Sequence, residues 1–383
     1  MDLTVFLALT LCITCCNVEA RNKTLLNGEI NFTLSGSSMH QVNNDFDCVD
    51  IYKQPALQHP LLKNHKIQLY PTFAKNITQS RASFGKTMDA CSPGKVPIYN
   101  KTQIHETITS SSSRLHTDNI KQYSKNSGSY HTVTLDTTQN VIFRGASAGI
   151  GAYNLSLQAN QFSLSSIWLE SGPSMELNSI KVGLGVHPHL YGDNQVRLTG
   201  HWTADAFKKT GCYNTLCSGF VQVNHNKEYA LGSVIHPVSS IGSTTKVYGL
   251  IKIKQDRSTG HWWLIIQDEA IYTGYWPKEL FTHLRKGASL IRFGGQTYAP
   301  PNKDNPPMGS GRLPKEKLKN SGFMGLLEII DSEYNERDIK PEDMKKYTNS
   351  NSNCYDLAYR GYEGSVYRQA FLYGGPGGRN CNI

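Results

Sequence analysis

The chain has 383 residues, 38% hydrophobic and 18% charged, with a formal net charge of +9. That length provides for one large domain plus a smaller one with a substantial core, and no segment approaches the roughly eighteen consecutive apolar residues of a membrane helix. The positive balance is spread along the chain and comes without a nucleic-acid motif, which excludes a nucleic-acid partner and leaves acidic polymers as the class a basic surface attracts.

Residues 1–20 hold an apolar run from Leu3 to Cys16 and end in Val18-Glu19-Ala20, the small-residue pattern of a signal-peptidase site, although Asp2 stands where a basic n-region is usual. Read as a signal peptide, this segment implies a secreted, extracellular protein with no membrane attachment after its removal. Loss of Asp2 and Glu19 raises the charge from +9 to +11. Residues 21–45 are polar and read as a flexible arm. Residues 46–97 are richer in apolar side chains and proline and form a candidate small unit, and residues 98–130, with a serine run at 110–113, read as a linker.

From residue 131 to 383 the pattern is one of short alternating segments, at 131–135, 140–144, 151–157, 161–169, 179–186, 196–203, 220–224, 246–254, 261–267, 270–275, 289–298, 323–331 and 367–373. Separated by Gly, Asn and Pro, they predict an all-β fold, an antiparallel β-sandwich of two packed sheets. One helix is predicted after Pro277, with Leu280, Phe281 and Leu284 on one face and Gly287 as its stop.

Cys12, Cys15 and Cys16 leave with the leader, and six cysteines remain. An even set in an oxidising compartment reads as a disulfide framework, with fifteen possible connectivities. Proximity favours Cys212–Cys217 and Cys354–Cys381, leaving Cys48–Cys91. No paired C-x2-C spacing supports zinc, so neither a metal nor a cofactor is expected. Asn22, Asn31, Asn76, Asn100 and Asn154 each open a glycosylation sequon.

Two predicted strands are candidates for chemistry. In 179–186, Ile180, Val182, Leu184 and Val186 share one face, while Lys181, Gly183 and Gly185 share the other. In 289–298, Ile291 and Phe293 face one way and Arg292, Gly294 and Gln296 the other. Glycine inside a strand marks close approach by another backbone or a ligand, or a bulge. The glycine-bearing faces, with Gly295 beside them, are therefore candidate walls of a peptide-accepting groove, to which Trp202 and Asp205 of the following segment are added.

The motifs SLSSIWL, NSIKVGLGV, LYGD, WTAD, GCYNTLCSGF, GHWWL, FGGQ and MGSG, in this order, resemble the neprosin family of secreted plant glutamic peptidases. Residues 46–97 resemble the activation-peptide region of that family, although Tyr99 and Asn100 replace the basic pair at which processing is expected. The alternative is a small packed subdomain that never leaves. The resemblance implies a double antiparallel sheet and two catalytic glutamates that use water at acidic pH, cutting near proline. A plant protein of this kind would lie in the apoplast or cell wall.

The positions matching those glutamates are Lys181 and Gln296. A glutamic peptidase needs a base for the attacking water and a donor for the oxyanion. Gln296 can donate but cannot usefully accept a proton, and Lys181 is a base only if burial lowers its pKa by several units. Glu170, Glu176, Asp205, Asp268 and Glu269 form no visible substitute dyad, and Asp205 reads as structural. The GGQ at 294–296, the glycine-rich 145–151 and the His187/His189 pair are dismissed as release-factor, phosphate-loop and metal motifs respectively. The expectation is an inactive peptidase homologue binding a peptide or an anionic polymer in its groove. The alternatives are an active proline-directed endopeptidase with an unrecognised base, and a cell-wall carbohydrate-binding sandwich using Trp202, Trp262 and Trp276.

Overall fold

A computed structural model describes residues 45–74, 89–100, 128–243, 246–267, 271–315 and 317–383. The leader, nearly all of the arm, most of the linker, Asn22, Asn31, Asn76, Asp268 and Glu269 lie outside the described residues.

Two large antiparallel sheets make the body. The first has seven strands in the order Met344–Thr348, Ser129–Thr137, Leu290–Ala299, Phe162–Ser171, Asn178–Val186, Arg197–Thr203 and Cys212–Tyr213. The second has ten strands, with Gly145–Gly151 and Tyr248–Gln255 at its middle. One apolar cluster draws on both: Val133, Ile167, Ile180, Val182, Ile291 and Phe293 from the first sheet, and Ala146, Ile150, Ile253, Leu264 and Ile329 from the second. The predicted alternation is the cause. Every second residue of each strand is turned into the shared layer, as expected of packed antiparallel sheets.

Gly145–Gly151 is a central strand between Tyr248–Gln255 and Gly322–Ile330, and all seven of its residues are buried. The predicted strands at 140–144 and 151–157 therefore shift. The segment before it stands outside the strand, with an isolated bridge from Phe143 to Ala288, and the strand ends at Gly151. Small side chains fit where neighbouring strands approach closely, and such a run lacks the apolar pattern by which strands are read. The predicted helix after Pro277 is instead two short 3-10 turns, Lys278–Leu280 and Leu284–Lys286. Phe281 is extended between them, and the Asn178 side chain accepts the amides of His283 and Leu284 that a helix would have used.

The three disulfides are Cys48–Cys91, Cys212–Cys217 and Cys354–Cys381. In the N-terminal unit Phe46–Asp50 pairs with Lys95–Tyr99, and 3-10 turns at Ile51–Lys53, Pro55–Gln58 and Pro60–Leu62 follow the first strand. This unit lies against the sandwich. Ala56, Ile67 and Phe73 cover Val221, Trp263, Ile265 and Tyr275, and the buried Gln54 exchanges hydrogen bonds with the backbone of Gln222.

Trp202, Trp262 and Trp276 are 3%, 0% and 1% exposed and belong to the main core. The aromatic surface required by a carbohydrate-binding sandwich is therefore not formed by these residues.

Candidate functional site

The outward face of the seven-stranded sheet carries the site. Its register sets Asp136, Arg292, Trp168, Lys181, His201 and Tyr213 in one row across six neighbouring strands. Two residues along, a parallel row runs Thr134, Gly294, Ser166, Gly183 and Thr199, and beyond it Thr132, Gln296, Leu164, Gly185 and Arg197. The period-2 alternation that buries Ile180 and Val182 thus turns Lys181 to this face.

Lys181 and Gln296 belong to different rows, with one strand between them, yet both line a single cavity. Its other walls are Leu164, Ser166, Trp168, Thr199, His201 and Tyr213. At about 10 Å³ it is of the size that holds one water molecule. Among the described residues, no carboxylate lines it.

The Lys181 ammonium lies 4.0 Å from the centre of the Trp168 ring, a placement that favours the cation through the negative face of the indole. His201 stacks between Tyr213 at 3.9 Å and Phe207 at 4.6 Å. Burial, with the nearby charges of Lys181 and His187, drives its pKa well below the usual histidine value, so it stands neutral. Gln296 donates through Nε2 to Thr132 Oγ1 at 3.3 Å.

The nearest carboxylates in the register are committed elsewhere. Arg292 pairs with Asp136 at 3.3 Å and with Glu170 at 3.4 Å. Burial pushes the Asp136 carboxyl up, and Arg292 pulls it back. Glu176 pairs with His283 at the sheet end, 3.2 Å away.

The remaining candidates separate by physical role. A Cβ on Gly183 would meet Ser165 O at 1.8 Å, one on Gly185 would meet Ser163 O at 2.4 Å, and one on Gly294 would meet Val133 O at 2.2 Å. These glycines admit the backbone of a neighbouring strand, so their requirement comes from the sheet. Gly295 is on the opposite face, where a Cβ would meet Met308 Sδ at 2.6 Å between the sheets, and it is no part of the groove. Trp202 likewise points inward, edge-on to Phe281. Asp205 binds the amides of Lys208, Lys209 and Thr210 and the hydroxyl of Thr210, closing the loop before Cys212. His187 accepts the Leu190 amide through Nδ1 as a helix cap. Sequence reasoning missed Trp168, Thr199 and His201, whose signal was only their parity with Lys181 on adjacent strands.

The model of the neprosin family matches residues 159–376, more than half of the chain, and that of the neprosin activation peptide matches residues 42–141. Sandwich and preceding unit together are those of a peptidase-related protein. The chain belongs to the neprosin family. The activation-peptide match includes the sandwich strand Ser129–Thr137 as well as the N-terminal unit. Among solved structures, the chain is similar to scytalido-glutamic peptidase with a transition state analog inhibitor, at 9% identity and a TM-score of 0.38, over 64% of this chain and 98% of that one. A second structure of that peptidase, with a peptide-based transition state analog, matches at 8% identity and a TM-score of 0.35, with the same coverage.

Proposed function

We propose that this protein is an exported, catalytically inactive member of its family that binds an anionic ligand in the retained groove. The carrying observation is the cavity shared by Lys181 and Gln296, which no carboxylate lines among the described residues. Water activation needs a proton acceptor. The groups on offer are an ammonium held over an indole, an amide, hydroxyl groups and the His201 imidazole, which burial and the neighbouring Lys181 charge make too weak a base to hold a proton from water. A cation among such donors suits the carboxylate of an acidic side chain, a chain end or a uronate, and in a cavity of about 10 Å³ only one carboxylate oxygen takes the place of the water. Export is supported by the N-terminal apolar run and by the pairing of all six cysteines outside it. Asn100 and Asn154 are exposed, as glycan acceptors must be.

The test incubates the full-length protein at acidic pH with a proline-containing peptide, beside the Lys181→Glu/Gln296→Glu double variant. Cleavage by the double variant alone is expected, and turnover by the purified unmodified chain would sink the inactive reading. For the ligand, an acidic peptide should bind in a manner weakened by salt and by Lys181→Glu. Indifference to both would remove the anionic assignment.

A further inference from the structure

Away from the Lys181 cavity, three metal-ligating side chains from distant parts of the chain converge. His65 comes from the N-terminal unit, His261 from the start of the strand Trp262–Ile266, and Glu279 from the turn Lys278–Leu280. One ligand atom from each lies within 4.8 Å of the others, and His261 Nδ1 is 3.9 Å from Glu279 Oε2. Ligands sharing one zinc-class ion at tetrahedral geometry stand about 3.4 Å apart, so to bind an ion the side chains close in and His261 Nδ1 releases the Lys278 amide that it accepts at 3.2 Å.

Glu279 Oε2 is buried and has no hydrogen-bond partner among the described residues. On a side chain 34% exposed overall, that oxygen is an open acceptor that a cation would engage. The ring of His65 is oriented from outside by Tyr275, whose hydroxyl oxygen lies 2.7 Å from Nε2 and also accepts the Gln68 amide at 2.9 Å. That leaves one nitrogen of His65 for an ion, in the manner of outer hydrogen bonds that fix metal-binding histidines. His261 is stacked on the same tyrosine at 4.9 Å.

The cluster opens onto a cleft of about 600 Å³ that admits solvent to a fourth position. Lys63, Lys66 and Lys278 line that cleft and oppose any cation electrostatically. Affinity must therefore come from directed bonds to nitrogen, which imidazole-preferring metals form and calcium and magnesium do not.

We infer that His65, His261 and Glu279 form a site for a divalent transition ion of the zinc class, which ties the N-terminal unit to the sandwich. The donor set, two imidazoles and one carboxylate with an open position, suits zinc.

The experiment adds zinc, cobalt, magnesium or calcium chloride to the metal-free full-length protein and to its His65→Ala and Glu279→Gln variants, reading Tm and cobalt absorption. At a hundredfold excess over Kd, zinc should raise Tm by about 3 °C, reversibly with EDTA, while magnesium and calcium leave it unchanged. Both variants should lose the shift and the cobalt band. Cobalt absorption reports coordination directly, so a variant that is merely less stable is told apart from one that no longer binds. Absence of a zinc shift and a cobalt band in the unmodified chain overturns the site, as does an undiminished response in either variant.

Discussion

Trp168 stands between two cations: the Lys181 ammonium is 4.0 Å from its ring centre, and the Arg292 guanidinium, on the strand to the other side, is 5.6 Å away. The aromatic face is matched to positive charge at position 181. Lys181→Met is one atom shorter, fills most of the same volume and removes the charge, and should cost about 1–2 kcal/mol. The denaturation midpoint of the variant measures this. Because Lys181 is only 8% exposed, the loss should hardly change with salt, unlike that of a surface ion pair.

Two glycines of the seven-stranded sheet carry a second expectation. Gly183→Ala drives a methyl into Ser165 O at 1.8 Å, a backbone atom fixed by the sheet, whereas Gly200→Ala meets the end of the Leu231 side chain at 3.0 Å. The first should destabilise by about 3 kcal/mol or more and the second by about 1 kcal/mol. Comparable unfolding midpoints for the two variants would show that the strand at Gly183 yields more easily than its contacts imply.

Much of this fold was legible because alternation is a local signal. The parity of Ile180, Val182 and Ile291 placed Lys181, Arg292 and Gln296 on one face before any tertiary contact was known, and the family motifs placed the two substituted positions. What stayed hidden depended on register or on distance along the chain. His201 reaches Lys181 only through the pairing of their strands, and His65 meets His261 across the docked N-terminal unit. The strand Gly145–Gly151 was obscured because glycine and alanine satisfy a crowded sheet without an apolar pattern. Trp202 and Gly295 were misplaced for a related reason. Each adjoins a groove residue in sequence, and on a strand adjacent residues face opposite ways.

Asp205 gives a pH dependence with a defined sign. Burial pushes its carboxyl up, but the hydrogen bonds from Thr210, Lys209 and Thr203 outweigh that and hold its pKa below the ordinary aspartate value. A group whose folded pKa is depressed contributes stability that is fully present above the unfolded pKa and is lost as pH falls through the folded one. Asp205→Ala should therefore cost about 2 kcal/mol at neutral pH, as expected for hydrogen bonds to a charged acceptor. The difference from the unmodified chain should begin to shrink below about pH 4. Urea denaturation of both proteins across that range measures the effect, and a gap that widened on acidification would contradict the hydrogen-bond account.

The attachment of the N-terminal unit turns on Arg197, whose side chain is 2% exposed. Its guanidinium reaches Asp45 at 2.8 Å, Asp193 at 2.7 Å and the Gly232 carbonyl at 2.8 Å. It also lies 5.8 Å from the centre of the Tyr99 ring and 5.0 Å from that of Tyr191. Three directed contacts at once require a planar fork, which lysine lacks. Arg197→Lys should therefore behave nearly as badly as Arg197→Met, each losing about 3 kcal/mol, at the low end for a buried pair because both aspartates keep some contact with water. Asp45→Asn should cost only about 1 kcal/mol, since Asp193 still balances the charge. Limited proteolysis distinguishes the two effects. The Arg197 variants should expose the 45–100 unit to cleavage under conditions where Asp45→Asn does not, and equal susceptibility of all three would mean that Asp45 alone holds the unit in place.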